Sequence, residues 1–234
     1  MLDLTGELSA SAKLAGFSAT GWAEVDIEGE DSEIVREIVS RKLGQAQTIL
    51  GQVEAHGNYS GIISDVGDGM SVDIGVEKPA QIKVGIGLRA LRAQLCDGKP
   101  LPARQIAECY CMHLGWGLSV RITRVEPPAR ILEGWLSDSQ IQLFSDAMAS
   151  RLEQIRVFDC TRQRLESALR RANLERDVIS LESNTLTTHS VVCKLGTDAI
   201  GLIPKLGSIL RKSELRPFLP KRILADCSNG ERGH

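Results

Sequence analysis

The chain has 234 residues, 42% hydrophobic and 25% charged, with a formal net charge of −2. These proportions are those of a globular protein of two or three compact units, and near-neutrality argues against the strongly basic footprint of a dedicated nucleic-acid binder. No stretch approaches the roughly 20 apolar residues of a membrane helix, and the opening Met1-Leu2-Asp3-Leu4-Thr5-Gly6-Glu7 lacks a basic segment followed by an apolar core. The expectation is a cytoplasmic protein with no membrane partner. Six cysteines without a Cys-x-x-Cys pair fit reduced thiols. Charge is unevenly spread: residues 1–57 carry net −6, residues 58–150 net −1 and residues 151–234 net +5, which suggests three units with different surfaces.

The expected fold class is α+β, with several modules. Residues 1–57 form a small acidic βα unit. The first fifteen or so residues are weakly patterned. Trp22-Ala23-Glu24-Val25-Asp26-Ile27-Glu28 then alternates as a half-buried strand, and Ser32–Leu43 places Ile34, Val35, Ile38, Val39 and Leu43 on one helical face, capped by Asp31 and ended by Gly44.

Residues 58–136 read as a partly open five-stranded barrel. Its strands are Gly61–Val66, Met70–Val76, Ile82–Leu88, Leu118–Val125 and Ala129–Leu136, the first two joined by a Gly67-Asp68-Gly69 turn. Leu88–Leu95 can coil, and a short helix near Ala103–Tyr110 interrupts the third and fourth strands, with Pro102 suited to its first turn.

Residues 137–224 read as a helix followed by a ferredoxin-like βαββαβ module. Ser137-Asp138-Ser139-Gln140 is a capping box, opening a helix whose buried stripe is Ile141, Phe144, Met148 and Leu152. The module follows with strands at Ile155–Phe158, Val178–Leu181, Ser190–Leu195 and Leu215–Leu219, and helices from Thr161 and near Asp198–Leu210. Pro204 would kink the second helix or delay its start to Ile203. Residues 225–234 read as a disordered polar tail.

The stretch Tyr59-Ser60-Gly61-Ile62-Ile63-Ser64-Asp65-Val66-Gly67-Asp68-Gly69-Met70-Ser71-Val72-Asp73-Ile74 resembles the opening of S1-type RNA-binding barrels of the OB class. Gly117–Val125 with Ala129–Glu133 is similar to the last hairpin of such barrels. Through Val72–Val76, Leu88–Leu95 and Val192–Ala199, the chain also resembles, over nearly its whole length, an archaeal family of uncharacterised proteins with an S1-like region. It is more loosely similar to the alpha subunit of archaeal translation initiation factor 2, without that protein's full helical middle domain. The S1 resemblance implies a single-stranded RNA groove on the barrel, although Met70 stands where such barrels place a stacking aromatic.

Tyr59 is the aromatic expected near that face. Phosphate contacts are expected from Lys83, Arg89, Arg92, Arg104, Arg121 and Arg124, with Lys99 close by. A second basic surface is expected on the C-terminal module at Arg162, Arg164, Arg170, Arg171 and Arg176. Solvated charge is the plain alternative for both sets.

Other constellations are weaker. Cys109, Cys111 and His113 diverge on a helix and have no second ligand pair for a structural zinc. Lys194-Leu195-Gly196-Thr197-Asp198 precedes a helix, where Thr197 or Asp198 reads as an N-cap rather than part of an anion site. Gly67/Gly69 and Gly85/Gly87 do not open helices, so no dinucleotide cofactor is expected. His56, His113, His189 and His234 are scattered, and no nucleophile has a motif that supplies a base. The reading is a non-catalytic RNA-binding accessory protein of archaeal translation or RNA metabolism, with the ribosome or RNA-processing machinery as partner and no cofactor or metal. The alternatives are a protein–protein adaptor on a larger nucleoprotein assembly and, last, a small-molecule enzyme.

Overall fold

Alternating apolar residues over residues 58–136 close a barrel rather than leaving it partly open. The computed structural model describes residues 8–18 and 22–228. In the barrel, β3 (Asn58–Val66), β4 (Met70–Val76), β5 (Ile82–Ile86), β6 (Gly117–Glu126) and β7 (Ile131–Leu136) run in the order β3-β4-β5-β7-β6. Closure comes from β6, which pairs with β7 on one side and with β3 across Asn58–Ile62 on the other. The inward positions Ile63, Val72, Ile74, Val84, Ile86, Val120, Ile122 and Leu136 are buried, as period two requires. Gly61 must lack a side chain, because a Cβ there would lie 2.6 Å from Val72 and 2.7 Å from the Asp73 carbonyl.

Before the barrel, β1 (Ala10–Phe17) and β2 (Ala23–Gly29) form an antiparallel ribbon against α1 (Ser32–Leu43). The unit is therefore ββα rather than βα. Ala10-Ser11-Ala12-Lys13 has too little apolar contrast to announce a strand. Asp31 stands at the start of α1 with φ −94° and ψ 22°, outside the extended region of a side-chain cap. Its carboxylate instead accepts the Ser9 N–H at 2.8 Å, tying the start of the ribbon to the helix.

Two helices interrupt the barrel between β5 and β6: α2 (Leu88–Leu95) and α3 (Ala103–Cys109). The Gln94 amide fastens α2 to the end of β7, donating to the Leu136 carbonyl at 2.9 Å and accepting the Leu136 N–H at 3.1 Å. After β7, Ser137 caps α4 (Asp138–Ser150) by accepting the Gln140 N–H. The capping box is half made, since the Gln140 side chain accepts the Ser119 N–H of β6 instead of turning back to Ser137. On the expected stripe of α4 only Phe144 is fully buried; Ile141, Met148 and the post-helical Leu152 are half-buried.

The C-terminal elements are β8 (Gln154–Phe158), α5 (Arg162–Arg171), β9 (Val178–Ser183), β10 (His189–Cys193), α6 (Ala199–Ile209), β11 (Glu214–Phe218) and α7 (Pro220–Ser228). Their four strands are antiparallel in the order β11-β8-β10-β9. Pro204 sits inside α6, which continues through it. Burial of Leu202 and Leu206 on one face of that helix offsets the missing hydrogen bond. Residues 225–228, expected in a disordered tail, belong to α7; residues 229–234 lie outside the described residues.

One face of the four-stranded sheet packs Ile155, Val157, Val191 and Cys193 under α5 and α6. The opposite face carries Arg156, Phe158 and Phe218, and its two phenylalanines belong to the same apolar cluster as the barrel interior, with Trp116, Tyr110 and Phe144. Arg156, 4% exposed, lies at the centre of this joint. Its guanidinium carbon is 4.4 Å from the Trp116 ring centroid and 4.5 Å from that of Phe218. One of its nitrogens donates to the Tyr110 and Cys111 carbonyls at 2.7 and 3.3 Å, the oxygens at the C-terminal end of α3, where a cation is favoured. A second clamp is Asn184, whose amide accepts the Gly117 N–H at 2.7 Å and donates to the Gly117 carbonyl at 3.1 Å.

Candidate nucleic-acid interface

Period two in β7 sends Leu132, Gly134 and Leu136 into the barrel and Glu133 and Trp135 out. Trp135 is 54% exposed, a large aromatic left in water on the outer wall of the barrel. Beside it lies a groove of about 810 Å³, bordered by the Gly67–Gly69 turn, the junction of β5 with α2, and β7. The outward positions of β5 at this junction are bare. A Cβ on Gly85 would have its nearest neighbour 3.8 Å away, and one on Gly87 would meet nothing within 4 Å. A planar group can therefore approach the strand backbone next to Trp135.

Three of the expected cationic residues surround this face. Arg121 of β6 is the direct cross-strand partner of Trp135, which places their outward side chains side by side. Its guanidinium lies 3.7 Å from the Asp138 carboxylate, an exposed pair worth about 0–1 kcal/mol that an incoming phosphate can displace. Arg89 lines the groove in the first turn of α2, a helix whose N-terminus has no side-chain cap. Lys83 is exposed two residues before Gly85 on the same face of β5. The side chains of Lys83 and Arg89 make no hydrogen bond or ion pair with another described residue.

The other expected residues are placed differently. Tyr59 is not a free stacking surface: its hydroxyl accepts the Glu54 N–H at 2.8 Å, and its ring covers Gly57. Arg92 donates to the Leu101 carbonyl at 2.8 Å, holding the α2–α3 connection. Arg104 is exposed on α3, outside the groove lining. Arg124 is held by Glu126, with Glu133 3.8 Å away, and its bond to Glu126 raises its pKa. Lys99 is half-buried, with its ammonium shielded from solvent. Met70, at the position where the resemblance called for an aromatic, points into the core and is buried. Trp135 of β7 is not among the residues to which the resemblance points, although the alternation Leu132-Glu133-Gly134-Trp135-Leu136 marks it as outward. The groove also carries the exposed carboxylates of Asp65 and Asp68 and that of Glu133.

On the C-terminal module, Arg162 pairs with Glu166 at 2.9 Å, while Arg164, Arg170, Arg171 and Arg176 are exposed. Because α5 covers the sheet face turned away from the barrel, this basic surface does not continue the barrel groove. Asp198 accepts the Ile200 N–H at 3.0 Å and Glu153 accepts the Ala199 N–H at 2.9 Å. Two carboxylates of the chain thus occupy the N-terminus of α6. Cys109, Cys111 and His113 share a cleft of about 340 Å³, but among the described residues no three metal-ligating groups converge. Burial raises the Cys111 thiol pKa and lowers that of His113. No described helix is long and apolar enough to cross a membrane.

These features define a mixed α+β protein in which a closed five-stranded barrel is docked on a four-stranded antiparallel sheet. Within it, residues 152–216 match the family model described as the DUF2110 C-terminal domain. No curated protein matches the chain. Among solved structures, an uncharacterised protein from Methanocaldococcus jannaschii is similar at 15% identity and a TM-score of 0.27, over 37% of this chain and 96% of that one. A chain of the a/eIF2alpha-aDim2p-rRNA complex from Pyrococcus horikoshii OT3 is similar at 12% identity and a TM-score of 0.28, over 54% of this chain and 70% of that one. Likenesses this distant do not transfer what those proteins bind.

Proposed function

We propose that the barrel is of the OB type and that its groove binds single-stranded RNA, giving the chain a non-catalytic accessory role in RNA metabolism or translation. The strand order β3-β4-β5-β7-β6, with helices between the third and fourth strands, supports the OB reading, since such barrels take oligonucleotides across their second and third strands. The observation that carries the function is Trp135, exposed beside the uncovered backbone of Gly85 and Gly87. Stacking on an aromatic accepts any base and contributes about 1–3 kcal/mol. Arg121 beside it across the strand and Arg89 in the groove lining meet phosphates, with Lys83 further along β5.

The test is an anisotropy titration of a labelled eight-nucleotide uridine RNA with the intact protein. Trp135→Ala should weaken binding by about tenfold. Three phosphate contacts predict a slope of about −2 in log K against log salt, shrinking toward about −0.7 in Arg89→Ala/Arg121→Ala. Absence of salt-sensitive binding at low ionic strength, or full affinity in Trp135→Ala, would refute the proposal.

The carboxylates of Asp65, Asp68 and Glu133 favour a second reading, in which the groove docks a cationic protein segment, with Trp135 stacking on an arginine. The two readings differ in sign. Removing Asp65 and Asp68 weakens a cationic partner and strengthens uridine RNA.

A further inference from the structure

We infer that the barrel groove selects guanine, with Asp65 or Asp68 reading the base that stacks on Trp135; this rests on the RNA-binding reading above. A groove serving only the sugar–phosphate backbone has no use for carboxylates, which repel it, yet Asp65 and Asp68 both line this one and both are exposed. Neither carboxylate is spent on the fold: the two side chains make no hydrogen bond or ion pair with any described residue. Glu133, by contrast, is balanced by Arg124 at 3.8 Å.

The backbone holds both carboxylates against the groove. The register of β3 against β4 shifts between Ile63 and Asp65, a bulge of the kind that re-aims a side chain at the rim of a barrel. Asp68 rides the tip of the following turn, which is pressed onto β5. A Cβ on Gly69 would lie 2.5 Å from the Ile86 carbonyl, so the turn borders the groove directly.

An ionised carboxylate only accepts hydrogen bonds. Of the four RNA bases, guanine alone presents two adjacent parallel donors, N1–H and the 2-amino group, spaced to match the two oxygens of one carboxylate. Adenine and cytosine offer an amino group beside an acceptor, and uracil offers N3–H between two carbonyls. Those acceptors face the carboxylate and are repelled. A guanine lying on Trp135 over the Gly85–Gly87 backbone can turn its Watson–Crick edge to the acidic turn, with Arg89 in the same lining to meet a phosphate. A bidentate contact of this kind discriminates by about tenfold or more.

The experiment compares three labelled eight-nucleotide RNAs with the intact chain: all uridine, and uridine with one central guanosine or one central adenosine. The single guanosine is expected to tighten binding by about tenfold over both others. In Asp65→Ala/Asp68→Ala the preference should fall below about twofold, while the all-uridine RNA binds as tightly as before or tighter, because two repelling charges are gone. That second readout separates recognition from damage, since a misfolded variant loses affinity for every RNA; if it does, Asp65→Asn/Asp68→Asn is used with the same criteria. Equal binding of the three RNAs by the unaltered protein, or a guanosine preference that survives loss of both carboxylates, overturns the inference and leaves RNA binding standing. Absence of binding to all three removes the RNA-binding reading and the inference with it.

Discussion

Substitution of Arg156 tests how the two sheets are joined. Burial lowers its pKa to about 10, a desolvation cost on the order of 3 kcal/mol at neutral pH. Against that stand a charge-assisted bond to the Tyr110 carbonyl at 2.7 Å, worth about 2 kcal/mol, and stacking between Trp116 and Phe218, worth about 1–2 kcal/mol per ring when desolvated. The charged head therefore contributes only about 1–3 kcal/mol net, and the volume of the side chain contributes more. Arg156→Met keeps an unbranched stem against the three aromatic rings and relieves the desolvation, so it should cost about 1 kcal/mol. Arg156→Ala leaves a cavity among Trp116, Phe144 and Phe218 and should cost about 4 kcal/mol. The assay is urea unfolding at pH 7.5, followed by far-ultraviolet circular dichroism and by tryptophan fluorescence. Because the barrel and the sheet share one apolar cluster, both probes should report a single coincident transition in the unaltered protein. A methionine variant as unstable as the alanine variant would show that the polar bonds of Arg156, not its packing, hold the joint. Two separated transitions in the unaltered protein would refute the shared core.

Asn184→Ala removes both amide bonds to Gly117 and should lower stability by about 2 kcal/mol in the same urea assay; an unchanged midpoint would mean that this clamp bears no load. Glu153→Ala frees the Ala199 N–H of α6 and should cost about 1 kcal/mol, with a similar loss for Asp198→Ala, the two differing from a silent surface change by a measurable shift in midpoint. His189 is buried, with its ring nitrogens bonded to the Cys160 carbonyl at 2.8 Å and to Ser183 at 3.1 Å, and burial lowers its pKa below the ordinary 6.5, as it does for His113. In that window the unfolded chain binds more protons than the native one. Stability should be full above about pH 6.5 and fall as the pH drops from there toward the lowered native values. His189→Gln should flatten part of that fall, and an unaltered slope would show that His189 does not contribute to it.

The barrel was legible because β4, β5 and most of β6 alternate between an apolar and a polar or glycine residue, and the C-terminal strands because short apolar runs are separated by amphipathic helices. The ribbon strand Ala10–Phe17 was not, since alanine, serine and lysine supply no apolar contrast and the strand depends on its pairing with Ala23–Gly29. The candidate site was half legible for a physical reason. Strand parity tells which way a side chain points, and it places Lys83, Arg121 and Trp135 outward correctly. It cannot tell what a side chain meets once there. Tyr59 meets Glu54, Arg92 the Leu101 carbonyl and Arg124 two glutamates, and none of these partners follows from alternation.

Arg156 shows the same limit more sharply and changes the picture of the surface. Counted along the chain it adds to the positive charge of residues 151–234, yet it is buried under aromatics from α4, β11 and the connection before β6. The sheet face that carries it is the face a ferredoxin-like RNA-binding module leaves open for stacked bases. In this chain Trp116, Phe144 and the end of α3 cover that face around Arg156. The barrel differs in this respect, since its Trp135 is 54% exposed. The basic outer surface of α5 lies on the far side of the sheet and does not adjoin the barrel groove.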